Sequence, residues 1–357
     1  MLTVNFTLGT TVFVMTSAMI KLAEQNAWLI PLYSGLAGMV MALLVIGLHH
    51  LHPGKSLIQI PLEVLGPWAG RVVVLIYFLY FSLLLAWVLH NLSDFLKGTY
   101  MLETPPSVFH FMFLIVAAYT TIKGVTTIAR VNQFVTPFLF FPFWLSVMLG
   151  IPAWEGERFR PFFHFDLGTV LLNSHPFIAF PFMEWLTLFL LYPYVQRKPG
   201  RALILGLGLA AVSLSIIITF VIALLGVERA SHINFPVYTF VQEITVGRVL
   251  TNIHAIISMV FIVMLYIKTL VLYYSVYTSL KELVQPASTW PITFGLLVFL
   301  GALARSIYLN QVQNMEFIDK YYFVFTSFFV IVIPTFLLAA SWIRTRWGKK
   351  RGGQKVR

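Results

Sequence analysis

The sequence predicts an all-α, polytopic membrane protein with about ten spanning helices, and three observations carry that prediction. Of its 357 residues, 59% are hydrophobic and 10% are charged, whereas an ordinary soluble domain carries roughly 25% charged residues. A water-soluble fold of this size would lack the polar residues to cover its surface. The apolar residues also fall in blocks that repeatedly reach the ~20 residues a spanning helix needs. Segment 68–92 is such a block, with Arg71 as its one Lys, Arg, Asp or Glu.

Taken in order, the blocks place spans at 2–20, 27–48, 68–92, 107–122, 132–151, 168–195, 202–226, 247–280, 290–307 and 321–343. The first lacks a basic leader and a small-x-small cleavage site, so it reads as a span and not a signal peptide. The connection 21–26 is short enough to force the first two spans antiparallel. Segment 56–65 is too short to cross and is expected to lie at the interface, punctuated by Pro61 and Gly66. Trp28, Trp68, Trp154, Trp290 and Trp342 sit near span ends, where amphipathic rings belong. With the N-terminus inside, inner loops and tail hold fifteen of the 24 Lys and Arg residues, seven of them in the tail 344–357. Both termini are therefore expected to be cytoplasmic. Residues 1–343 read as a single transmembrane domain and 344–357 as a basic cytoplasmic tail.

Ten spans divide five and five, into repeats of about 1–151 and 168–343. Each half opens on an interrupted span: Leu8-Gly9-Thr10-Thr11 in the first, Asn173-Ser174-His175-Pro176 followed by Pro181 in the sixth. Discontinuous helices at corresponding positions point to an inverted-repeat transporter frame with a binding site near the midplane.

Much chemistry is excluded. Cysteine is absent, which removes disulfides, thiolate metal sites and cysteine nucleophiles. The net charge of +11 is accounted for by short loops and the tail, so nucleic acid is not an expected partner; the lipid bilayer is. His49, His50 and His52 have no carboxylate or cysteine at ligand spacing, and no metal or cofactor is expected. Ser174 and His175 are sequence neighbours, which cannot face each other on a helix as a nucleophile and base must. No catalytic residue is assigned, and the chain is not expected to be an enzyme.

The candidates are binding and gating residues. Glu184 and Lys268 lie within spans six and eight, where an ionisable group costs at least ~2.5 kcal/mol and marks function by default. They are candidate gating charges, either paired with each other or carrying protons. Thr269 and Tyr273, four residues apart, share a helical face beside Lys268. Gly9, Thr10 and Thr11 offer backbone N–H groups to a carboxylate, and Ser174, His175 and Pro176 offer carbonyls to an ammonium group. Such a site suits an amino acid without needing a charged side chain.

Several segments carry a resemblance to a known family. They are Ala23-Glu24-Gln25-Asn26-Ala27-Trp28-Leu29, His52-Pro53-Gly54-Lys55-Ser56-Leu57 and Leu65-Gly66-Pro67-Trp68. Phe95-Leu96-Lys97, Leu102-Glu103-Thr104-Pro105 and Lys123-Gly124 through Ile128-Ala129-Arg130 follow. Phe180-Pro181-Phe182-Met183-Glu184, Asn234-Phe235-Pro236 and the Lys268 region continue it. In order and spacing the chain resembles the permease-like B subunits of spore germinant receptors, within the amino acid–polyamine–organocation transporter superfamily. One departure is Thr245-Val246-Gly247-Arg248, where resembling sequences often carry an acidic-basic pair. The resemblance implies a leucine-transporter-like fold of two five-helix inverted repeats. It implies a germinant-sensing role in the inner membrane of a bacterial spore, with a small nutrient ligand such as an amino acid. It also implies two partners, a larger membrane A subunit and a lipoprotein C subunit. A proton- or ion-coupled amino acid transporter is the alternative on the same frame.

Overall fold

The computed structural model describes residues 1–160, 167–244, 253–286, 288–308 and 311–352, and every regular element among them is helical. Seven helices are long and apolar enough to cross a membrane, and a bent pair at the start makes an eighth. Two shorter apolar segments, Pro106–Ile122 and His175–Leu190, lie between them. Residues Thr245–Arg248 fall outside the described chain.

The bent pair is α1 (Leu2–Val14) and α2 (Thr16–Ala23), with Leu2–Val14 inclined by 65° to Thr16–Asn26. The sequence predicts the interruption at Leu8–Thr11, but the helix runs unbroken through those residues and turns at Met15. At the bend Thr16 Oγ1 donates to Val12 O at 2.6 Å, and one turn earlier Thr11 Oγ1 donates to Thr7 O at 3.0 Å; back-bonding of this kind competes with the helical ladder and often accompanies bends.

After α3 (Leu29–Leu51), the 41-residue α4 (Gln59–Thr99) contains one sharp kink, at Gly66 with φ 85° and ψ 179°. Only glycine adopts that backbone without strain, and Pro67 restarts the helix from its first turn. The helical stretch before the kink, from Gln59, overlaps the short segment 56–65 of the sequence. Next come α5 (Pro106–Ile122) and α6 (Val125–Gly150).

The segment expected as the sixth span is broken twice. α7 (Leu167–Asn173) and α8 (His175–Ala179) are interrupted at Ser174. An irregular turn at Phe180–Met183, with a cis peptide at Phe180–Pro181, leads into a 3₁₀ segment at Glu184–Leu190. Beyond it lie α9 (Pro199–Leu225), α10 (Val227–His232), α11 (Pro236–Glu243), α12 (Ile253–Val284) and α13 (Thr289–Ser306). The last long helix is assembled from α14 (Gln311–Phe317), α15 (Phe323–Ser327) and α16 (Ile333–Gly352). These are joined by π turns at Ile318–Tyr322 and Phe328–Val332.

α12 is the centre of the packing: it touches α1, α4, α5 and α6, while α3 packs on α9. Outward faces stay apolar and exposed, as with Leu36, Val40 and Leu43 on α3 and Phe134, Phe138 and Phe141 on α6. A lipid-facing surface needs no polar cover. Trp68, just past the Gly66 kink of α4, and Trp290, in the first turn of α13, are also well exposed.

Candidate functional site

Polar groups converge where α1, the 3₁₀ segment after α8, α12 and the π turn before α15 meet. Gly9 permits the approach of α1 to α12, since a Cβ there would stand 3.1 Å from Met264 O. That approach sets Thr10 beside Lys268, one helical turn beyond Met264. Lys268 Nζ donates to Thr10 Oγ1 at 2.7 Å and to Glu184 Oε2 at 2.5 Å. Its ammonium also lies over the rings of Phe6 and Phe180, 5.3 and 5.0 Å from their centroids, a placement that favours a cation. Glu184 opens the 3₁₀ segment directly after the irregular turn, and its other oxygen, Oε1, accepts from the Tyr322 hydroxyl at 2.5 Å. Lys268 and Glu184 are 1% and 2% exposed, so the pair is closed to solvent. Both carboxylate oxygens are hydrogen-bonded, as a buried charge requires.

Tyr322 is a site residue that sequence reasoning missed. The available signal was Asp319-Lys320-Tyr321-Tyr322, a polar run opening an otherwise apolar block. Trp87 and Phe180 hold its ring edge-on, with centroids 5.5 and 5.8 Å away, and the π turn Ile318–Tyr322 aims it inward. π turns occur disproportionately at functional positions. Tyr322→Phe is expected to lower stability by about 1.5–3 kcal/mol, the worth of a hydrogen bond to a charge. Thermal unfolding of the purified chain in detergent measures it, and an unchanged midpoint would refute the bond.

The other expected site residues separate into three places. Gly9 and Thr11 are buried inside α1, and their backbone groups belong to the helix and are not free for a ligand. Thr269 and Tyr273 are fully buried on α12, and among the described residues their hydroxyls have no hydrogen-bond partner. Trp185 Nε1, next to Glu184, is in the same position. Ser174 Oγ donates to Leu171 O at 2.8 Å. The ring nitrogens of His175 face Leu172 O at 3.0 Å and Asp319 O at 3.1 Å, so the ring bridges α8 to the π turn. Ser174 and His175 are therefore committed to backbone carbonyls and not to each other.

Pro176 lies elsewhere again, on the wall of a cavity of about 900 Å³. The cavity opens at the end of the bundle that carries Lys21 and Asp319. It is bounded by Val14 and Met15 at the bend of α1, by Pro176 and Phe177 of α8, and by Ile318 of the π turn. The structure thus sets a solvent-open cavity against a dry, fully paired charge site, with the π turn as their common wall.

The histidines of the His49-His50-Leu51-His52 stretch have separate surroundings. His49 packs on Phe189 and Tyr192 with centroids 4.9 and 4.7 Å away, while His52 Nε2 meets Ser341 Oγ at 2.9 Å. A second polar cluster ties α4 to α5, α13 and α14. His90 Nδ1 lies 3.0 Å from Ala304 O and His90 Nε2 3.4 Å from Asp94 Oδ1; His110 Nε2 lies 3.1 Å from Ser93 Oγ. Asn91 Oδ1 accepts from both Tyr308 and Asn314 at 3.0 Å.

Residues 1–314 match the model of a family described as "Spore germination protein". Among curated relatives, the chain is 21% identical to "Spore germination protein B2" of Bacillus subtilis (strain 168) over 352 residues, covering 96% of this chain and 93% of that protein. It is 21% identical to "Spore germination protein KB" of the same strain over 357 residues, 97% and 94% of the two chains. A third relative there, "Putative spore germination protein YfkT", is 26% identical over 259 residues, 70% of this chain and 69% of that one.

Proposed function

The chain belongs to the spore germination protein family, and we propose that it is the permease-like, nutrient-sensing subunit of a spore germinant receptor. One observation carries the reading: a dry ion pair, Lys268–Glu184, joins the elements that a transporter frame moves, and an open cavity lies beside it. A route through the molecule would need this position open, yet it is filled by the protein's own charges. A sensor needs the opposite, a joint with two arrangements whose balance a ligand shifts through differential affinity. In this reading Thr10, Glu184 and Lys268 are the joint. Ser174, His175 and Pro176 connect it to the cavity, and Gly9 and Thr11 fix the approach of α1. Thr269 and Tyr273, buried without hydrogen-bond partners among the described residues, are groups that would find them when the joint rearranges.

The fold behind this proposal counts Pro106–Ile122 and the segment from α7 to Leu190 as spans, giving ten in two five-helix inverted repeats, 1–151 and 168–343. Both termini are then cytoplasmic, and the cavity faces outward, where nutrients arrive at the spore inner membrane. The ligand is a small nutrient, an amino acid by the logic of the site. The A and C subunits implied by the resemblance would read the joint within the membrane.

The experiment is germination of spores in which this chain is deleted or carries Thr10→Ala. Deletion is expected to abolish the response to this receptor's nutrient. Thr10→Ala removes an acceptor of the buried ammonium, worth about 1.5 kcal/mol; about ten-fold more nutrient should then be needed for half-maximal germination. A full nutrient response without the chain would overturn the sensing role. Accumulation of labelled amino acid by the reconstituted chain alone would establish the transporter in its place.

A further inference from the structure

The polar cluster between α4, α13 and α14 poses a question of donors and acceptors. His90 Nδ1 lies 3.0 Å from Ala304 O, and a carbonyl only accepts, so that nitrogen carries a proton. The reverse ring orientation would set carbon atoms against both partners of the ring. In a neutral imidazole the other nitrogen is then bare. Yet Nε2 stands 3.4 Å from Asp94 Oδ1, and an ionised carboxylate also only accepts. Two lone pairs would face each other beside a buried ring, which is costly. His110, close by, shows no such conflict. Ser93 Oγ donates to His90 O at 2.8 Å, so His110 Nε2 donates to Ser93 Oγ at 3.1 Å, and a neutral ring satisfies that bond. Asp94 Oδ2 is buried with no hydrogen-bond partner among the described residues, so nothing on that side compensates a full negative charge.

We propose that His90 and Asp94 form a proton-binding site and hold one proton between Nε2 and Oδ1 at neutral pH. The proton is the ligand, and it closes a clasp. The His90 ring centroid lies 3.9 Å from that of Tyr308. Tyr308 and Asn314 both donate to Asn91 Oδ1 at 3.0 Å, so the clasp ties α4 to the end of α13 and to α14. Loss of the proton turns the imidazole away from Asp94, and Nδ1 then leaves Ala304 O. The other titratable and charged groups around the pair are His110 of α5, Lys97 of α4, Arg305 in the last turn of α13 and Tyr308 just past it. On α14, Glu316 is held by Lys320 at 2.7 Å, and on α12 Tyr266 bonds Thr120 of α5 at 3.0 Å. α14 stands between this clasp and the open cavity: Asn314 meets Asn91, while Val312 and Met315 line the cavity. A proton bound outside the Lys268–Glu184 joint therefore sets how firmly one cavity wall is held. In the unfolded chain a histidine and an aspartate hold no proton between them above about pH 6.5. Folding then takes up a proton, so this contribution to stability is full below that pH and is lost as pH rises above it.

The test uses the full chain in nanodiscs, with isotope-labelled histidine read by nitrogen NMR and assigned by His90→Gln. At neutral pH either both His90 nitrogens should be protonated, or Nε2 should be bare while the infrared shows an acid carbonyl band that Asp94→Asn removes. A bare Nε2 without that band would overturn the site. The chain has no cysteine, so Val312→Cys carries a single nitroxide on α14. As pH rises from about 6.5 to about 9, the melting midpoint should fall and the label should become more mobile. Asp94→Asn should flatten both profiles and keep the fold, because its amide donates to a neutral Nε2. Flat profiles in the parent would overturn the proposal, and so would profiles that Asp94→Asn leaves unchanged. If Asp94→Asn does not fold, the parent's nitrogen spectrum and its two profiles decide the matter by themselves. None of these measurements uses a nutrient, so their failure leaves the sensing role standing.

Discussion

Lys268→Met is expected to be the most damaging single change in this protein. It removes the ammonium from Glu184 and leaves a carboxylate at 2% exposure with Tyr322 as its remaining donor. Breaking a buried pair by deleting one partner costs about 3–5 kcal/mol, because the surviving charge keeps its desolvation penalty without its compensation. Within the apolar interior of a membrane protein no water is at hand to soften the loss. The amount of folded chain in the membrane should fall steeply, and the purified variant should melt well below the parent.

The double variant Lys268→Met with Glu184→Gln separates structure from gating. With no charge left to strand, most of the lost stability should return; removing both partners of such a pair is often close to neutral. A sensor whose joint is this pair should then be abundant but unresponsive to nutrient. The single and double variants are compared by membrane abundance, melting temperature and germination dose–response. A single variant with normal abundance and melting would show that the pair does not hold the fold. A double variant that responds normally would show that the pair is not the gate.

The sequence made the two charges conspicuous because charge is expensive in an apolar span, so Glu184 and Lys268 stood out before any geometry was known. It also made legible the helical character, the interruption in the Ser174–Glu184 region and the kink at Gly66. Other features were hidden for identifiable reasons. The bend of the first helix falls at Met15, beside the side-chain bond of Thr16 to Val12 O, whereas Gly9 suggested an interruption by composition. In the structure Gly9 serves close packing instead, and the carbonyl of Met264 is the neighbour that requires it. Tyr322 was hidden because tyrosine is ordinary filling in a membrane helix, and only the π turn aims it at Glu184. Lys21 and Asp319 lie on different elements, about 300 residues apart in the chain, and nothing short of tertiary packing places them on one cavity.

Gly38→Ala is expected to disable the site from a residue that touches none of its polar groups. Gly38 of α3 packs against the irregular turn. A Cβ built there would collide with the carbonyl oxygen of Phe182, and would lie 2.7 Å from Phe182 Cβ and 3.1 Å from its carbonyl carbon. These are mainly backbone atoms, so no flexible side-chain end can swing aside. The turn must shift, and Glu184 lies two residues beyond Phe182. Overpacking of this kind costs about 1–3 kcal/mol, and the displacement is passed to the carboxylate that pairs with Lys268. Gly47, on the same helix, is the control: its nearest neighbour beyond the local backbone would be Leu338 Cδ1 at 3.9 Å, an ordinary contact. Gly47→Ala should therefore be neutral, or stabilising by about 0.5–1 kcal/mol from helix propensity. Measured side by side, Gly38→Ala should lower the melting temperature and blunt the nutrient response, while Gly47→Ala does neither. Equal behaviour of the two would mean that the turn at Phe182 yields freely, and that the position of Glu184 is not fixed by the packing of α3 against it.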